Sequence, residues 1–209
     1  MKKLIALVIV IFVFSIVQFG NAQTIYVNRV TGNDATGNGT SGSPYKTFHK
    51  GYTMASSGNT INLTGTFTWT DTDETGDAAT SGYTINKNLT ITGQDAGSTI
   101  IQAASTENTA DRRIFTPGNY TITIQNLTIR HGYITNSSGG AAIRLGGTTI
   151  FTLSNCIIER NTINYNDGDG RYQGGAIQIY YLSTGSVNID KCLFQYNTNA
   201  GLLTISVIQ

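Results

Sequence analysis

Charge is scarce in this chain. Charged residues make up 12% of its 209 positions, against about 25% in an average soluble domain, and the formal net charge is +1. No basic field exists to attract nucleic acid, and no run of like charge exceeds a few residues, so a nucleic-acid partner is excluded. Proline is nearly missing, with 2 residues, and so is cysteine, also with 2. Beyond the N-terminal leader no segment is apolar enough to cross a membrane as a helix. What the chain has is glycine, 24 residues of it, together with abundant Thr, Asn and Ile. That mixture suits many short strands joined by tight corners rather than helices.

The length suits one domain once a leader is removed. Lys2 and Lys3, an apolar run over 4–19 and Gly20-Asn21-Ala22 before Gln23 read as a secretory signal peptide spanning 1–22. An uncleaved anchor is the alternative. The run falls short of the ~20 residues that span a bilayer, which favours cleavage. The mature chain is therefore expected outside the cytoplasm, secreted or on the cell outer-membrane surface.

One pattern is written twice across 139–197. Gly139-Gly140-Ala141-Ala142-Ile143 leads to Asn155-Cys156-Ile157-Ile158-Glu159-Arg160-Asn161. Gly174-Gly175-Ala176-Ile177 leads to Lys191-Cys192-Leu193-Phe194-Gln195-Tyr196-Asn197. The glycine pairs lie 35 apart (174 − 139) and the cysteines 36 apart (192 − 156). A fixed period of this size signals stacked coils. An earlier coil aligns at Asn126-Leu127-Thr128-Ile129-Arg130-His131, and a more distant one at Asn88-Leu89-Thr90-Ile91. The spacing predicts two inward rungs: Leu127, Cys156 and Cys192; and Ile129, Ile158 and Phe194. The change from even to odd apolar spacing predicts a bend at Asn126, Asn155 and Lys191. In the Leu89 coil, Ile85 and Tyr83 sit one position out of step, which a shifted corner would explain.

This register gives each conspicuous residue a structural role. Cys156 and Cys192 would stack on neighbouring parallel strands, where Cβ vectors suit a disulfide poorly, so two buried free thiols are expected. The glycine pairs supply φ > 0 or close backbone approach; a phosphate cradle would need a helix to follow, and β-rich sequence follows instead. Asn161 and Asn197 fit left-handed corners with hydrogen bonds along a stack.

Residues 23–64 form a separate opening unit. Thr24-Ile25-Tyr26-Val27 reads as a strand and 45–56 as a short amphipathic helix carrying Phe48, Tyr52 and Ala55. Thr60-Ile61-Asn62-Leu63 restores the strand alternation. Gly32-Asn33-Asp34, Gly39-Thr40, Pro44-Tyr45-Lys46-Thr47-Phe48 and Thr60-Ile61-Asn62-Leu63 resemble the opening of secreted right-handed parallel β-helix proteins, including some polysaccharide lyases of the pectate-lyase type. The resemblance implies that this unit caps the first coil. Gly174-Gly175-Ala176-Ile177 with Phe194-Gln195-Tyr196-Asn197 resembles the repeat of polymorphic outer-membrane proteins, and the 139–161 copy is a near match. That resemblance implies a β-helical passenger displayed at the cell surface, with adhesion as its role.

The expected fold is all-β, a right-handed parallel β-helix with a short N-terminal capping helix. Coils occupy 65–209. Residues 201–209 stop within what would be the next coil, so the C-terminal end reads as truncated.

Candidate chemistry is thin. Asp71, Asp73, Glu74 and Asp77 could ligate Ca²⁺ or form a solvated loop, and the loop reading is preferred. The loop 166–171 reads as a turn. The outward slots carry Arg130, Glu159 and Gln195, then His131, Arg160 and Tyr196. Arg130 and Glu159 are placed to pair across coils, and His131 beside two arginines would resist protonation. No acid–base pair converges, so no catalytic, cofactor or metal residues are assigned. The expected function is a non-catalytic, adhesin-like module that binds an extracellular glycan or a cell-surface protein. A carbohydrate-active β-helix enzyme, a polysaccharide lyase or hydrolase acting with or without Ca²⁺, is the alternative.

Overall fold

The computed structural model describes residues 22–76, 81–136, 139–165 and 174–199. The leader, Asp77, the loop at 166–171 and the segment 201–209 lie outside the described residues. No helix among the described residues is long and apolar enough to cross a membrane.

The described residues open with β1 (Thr24–Asn28) and hold a single helix, α1 (Phe48–Met54). The chain then winds through about five turns of a parallel β-solenoid. The first turn contributes β2 (Asn59–Thr64), β3 (Thr66–Thr68) and β4 (Tyr83–Ile85). The second contributes β5 (Leu89–Thr92), β6 (Ile100–Gln102) and β7 (Phe115–Pro117). The third adds β8 (Thr121–Gln125), β9 (Thr128–Arg130), β10 (Tyr133–Ile134) and β11 (Ile143–Gly147). The fourth adds β12 (Ile150–Ser154), β13 (Ile157–Glu159), β14 (Thr162–Ile163) and β15 (Ile177–Leu182). The fifth comprises β16 (Ser186–Asp190), β17 (Leu193–Gln195) and β18 (Thr198–Asn199). Sheet I is β1-β2-β5-β8-β12-β16, sheet II is β3-β6-β9-β13-β17, sheet III is β10-β14-β18 and sheet IV is β4-β7-β11-β15.

Alternation puts one side chain in two inside, and stacking puts like above like. Phe67, Ile101, Ile129, Ile158 and Phe194 form one continuous rung on sheet II. Ile25, Ile61, Ile91, Ile124, Leu153 and Ile189 form another on sheet I. The corner between sheets I and II is left-handed at Asn126, Asn155 and Lys191, with φ of 57°, 51° and 50°, as the spacing required. Cys156 and Cys192 are buried free thiols.

Three local expectations change. Leu89 does not share the slot of Leu127: it pairs with Asn59 and Ile122 on sheet I, while Tyr83 and Ile85 belong to sheet IV. The slot is filled in that turn by Thr99, whose carbonyl accepts from Thr128 N as Leu127 O does from Ile157 N and Cys156 O from Leu193 N. The excursion 93–99 between β5 and β6 separates the two strands and hides the repeat. At the second corner, the left-handed residues are His131, Arg160 and Tyr196, the last two just before Asn161 and Asn197, the positions expected to turn. Asn161 and Asn197 instead supply the ladder. Asn161 Nδ2 donates to Asn197 Oδ1 (2.9 Å) and Ile129 O (3.2 Å), and Gly132 N donates to Asn161 Oδ1 (2.8 Å). Finally, α1 is shorter than 45–56. Asp34 Oδ1 accepts from Lys46 N and Thr47 N, holding the residues before the helix extended, and Thr47 Oγ1 caps Lys50 N.

The helix packs Phe48 among Trp69, Tyr83 and Phe115, with ring centroids 4.9–5.8 Å away. The first glycine pair has φ of 55° and 62°, a conformation a Cβ resists. The second pair serves close approach: a Cβ on Gly175 would meet Thr198 O at 2.4 Å. Arg113, buried, donates from Nε to Gly140 O (2.8 Å) and from Nη2 to Gly139 O (2.7 Å), anchoring the first pair to the turn below.

Candidate functional site

Each strand of sheet II ends on an outward side chain at the same level. The column reads Thr68, Gln102, Arg130, Glu159 and Gln195. It divides into two hydrogen-bonded halves. Gln102 Nε2 donates to Thr68 Oγ1 (3.0 Å) and Arg130 Nε to Gln102 Oε1 (2.8 Å). Gln195 Nε2 donates to Glu159 Oε2 (2.7 Å). The Arg130–Glu159 pair expected from the register is not made, because each group is taken by an amide on its other side. Gln102 was not foreseen in this stripe, since the misplaced Leu89 coil hid it. The Ile100-Ile101 pair after Gly93 is the signal that could have located it.

Two excursions from the second turn border this face. Thr128 Oγ1 donates to Ala96 O (2.6 Å), fastening the loop 93–99 on one side. On the other, His131 Nδ1 lies 2.9 Å from Ala104 O, and Arg160 Nη1 is 3.5 Å from Glu107 Oε2. Gln102 and Thr128 are buried as a result, while Arg130, Glu159 and Gln195 stay partly exposed. Arg160 also lies over the Tyr196 ring at 5.0 Å, and Tyr196 is 65% exposed. The arrangement therefore offers planar donors and acceptors at fixed spacing, with an aromatic edge. His131 does resist protonation, but burial is the main cause and Arg130 a lesser one.

The acidic cluster lies elsewhere, against the cap. Arg29 Nη2 contacts Asp71 (2.8 Å) and Asp73 (2.6 Å), and Lys46 Nζ contacts Asp73 (2.8 Å). Those cations hold the Asp73 carboxyl well below its ordinary range. Glu74 is buried and accepts from Phe48 N (2.8 Å) and His49 N (3.2 Å). The carboxylates of Asp71, Asp73 and Glu74 thus bond arginine, lysine and helix amides. Among the described residues, no group of three or more His, Cys, Asp or Glu is placed to hold a metal ion.

Burial raises the Glu74 pKa from its ordinary 4.5 to about 7. The folded state then holds this proton more tightly than the unfolded chain. Its contribution to stability is fully present below pH 4.5 and is lost as pH rises through about 7. Melting temperature measured across that window should fall more steeply with pH in the wild type than in Glu74→Gln. Parallel curves would contradict the assignment.

No family model, curated protein or solved structure matches this chain.

Proposed function

We propose that this chain is a secreted or cell-surface β-helix module, adhesin-like and non-catalytic, that binds an extracellular glycan or a cell-surface protein across the outward face of sheet II. The observation that carries this reading is the partly exposed stretch of the polar column, with Arg130, Glu159 and Gln195 in register beside the Arg160–Tyr196 stack. Rigid strands hold these groups, so little conformational entropy is lost when a ligand engages them. Repeating donors and acceptors suit a chain of hydroxyls, and Tyr196 offers a ring face for stacking. The leader at 1–22, the polymorphic-type repeats and the pectate-lyase-like opening support export, surface display and the right-handed sense of winding.

Glycoside hydrolysis is not proposed, because the column holds one carboxylate and that reaction needs two flanking the bond. Binding to a glycan array, and to intact cell surfaces, tests the reading. Arg130→Ala removes a charge-assisted hydrogen bond of about 1.5–3 kcal/mol, so affinity should drop roughly ten- to a hundredfold. Chelation of divalent cations should leave affinity unchanged. Release of unsaturated or reducing sugars from polyuronates, with or without Ca²⁺, would overturn the reading in favour of an enzyme.

A further inference from the structure

Sheet I carries a different pattern on its outward face. The register sets Thr24, Thr60, Thr90, Thr123 and Thr152 side by side on five successive strands, with Asn188 next on β16. Two residues along, Tyr26, Asn62, Thr92, Gln125, Ser154 and Asp190 form a second column. Threonine favours strands, which accounts for a single threonine at any of these positions. It does not account for five in one column while the neighbouring column changes at every strand.

The hydroxyls of this column also differ from other threonines in the chain. Thr128 and Thr149 donate to the carbonyls of Ala96 and Gly118, and Thr92 to that of Gly93. Among the described residues, the five column threonines have no side-chain hydrogen bond to protein. The face thus presents a free hydroxyl and a methyl about every 4.8 Å along the solenoid, with the second polar column roughly 6.6 Å across. Asp190, at the end, is the only charged residue in the two columns.

Identical groups at a fixed repeat all match one rigid partner only when that partner has the same repeat. A single sugar lacks one, and an extended peptide repeats its backbone at a different spacing; a crystalline surface has one. We propose that the outward face of sheet I binds ice. Oxygen rows on the prism faces of hexagonal ice repeat close to the spacing along the threonine column, so successive hydroxyls face lattice waters. The methyls displace disordered water between them. Charged side chains would hold hydration shells that the lattice cannot absorb, and the column has none. A crystalline polysaccharide is also periodic, but its sugar faces are gripped by stacked aromatic rings, which the threonine column lacks. This surface is separate from sheet II, and the proposal does not depend on glycan binding there.

Partition of the fluorescently labelled full chain into slowly growing ice tests the proposal, with inhibition of recrystallisation as a second reading. The wild type is expected in the ice. Thr123→Lys, in the middle of the column, should lose incorporation, while Thr84→Lys, outward on sheet IV, should keep it, both with wild-type melting temperature. Should the lysine variant fail to fold, Thr123→Tyr retains strand propensity and makes the same test. Exclusion of the wild type from ice, or equal incorporation of Thr123→Lys, defeats the proposal. Exclusion from ice together with retention on crystalline cellulose or chitin replaces it with a polysaccharide lattice.

Discussion

Ile158→Asp should leave the protein unfolded or insoluble, whereas the adjacent Glu159→Gln should be obtained in wild-type yield with an unchanged melting temperature. Ile158 is fully buried and stacks between Ile129 and Phe194. Removing its apolar surface costs about 1.5–3 kcal/mol, and the new carboxylate has no partner inside the rung. Together these approach the whole stability of a domain, about 5–15 kcal/mol. Because each turn rests on its neighbours, a broken fourth turn also uncovers the third and the fifth. The side chain of Glu159, one residue on, faces out and accepts from Gln195 Nε2. Soluble expression and thermal denaturation of the pair decide the matter; equal behaviour would refute the register.

Phe48→Ala should cost about 3–5 kcal/mol, the usual toll of deleting a buried aromatic ring. Phe48 is fully buried and touches the rings of Tyr52, Trp69, Tyr83 and Phe115. Two of those partners, Tyr83 and Phe115, lie on successive strands of sheet IV, so the helix fastens to two turns at once. Denaturant unfolding should show the midpoint lowered for the whole solenoid. Loss confined to residues of α1, read by amide exchange, would show instead that the opening unit is independent of the turns.

The exposed end of the cap needs no such ring. Met54 is half exposed, and its substitution is expected to be silent by comparison.

The candidate site was partly readable in advance. Arg130, Glu159 and Gln195 were aligned correctly, since counting from Cys156 and Cys192 places them on one outward line. Their hydrogen bonds were not, because a one-dimensional register gives neighbours on both sides and cannot choose between them. Arg130 had Gln102 as well as Glu159 within reach, and Gln102 was hidden by the excursion 93–99. The threonine column was missed for the same reason: it runs through Thr90, on the strand that the alignment had put in the wrong sheet.

By itself, the sequence determined that this is a stack of parallel coils, which rungs fill it, where the first corner turns, and that the cysteines pack as thiols. Each follows from a period in the chain that only one kind of structure can use: alternation within strands, and a repeat of about 36 residues between them. Only the tertiary structure decided what the irregular turns do. It placed Leu89 on sheet I and Thr99 in the rung, moved the second corner onto His131, Arg160 and Tyr196, and gave the acidic residues to Arg29, Lys46 and α1. Those contacts join residues far apart in the chain without a period to announce them, so no count along the sequence could have found them.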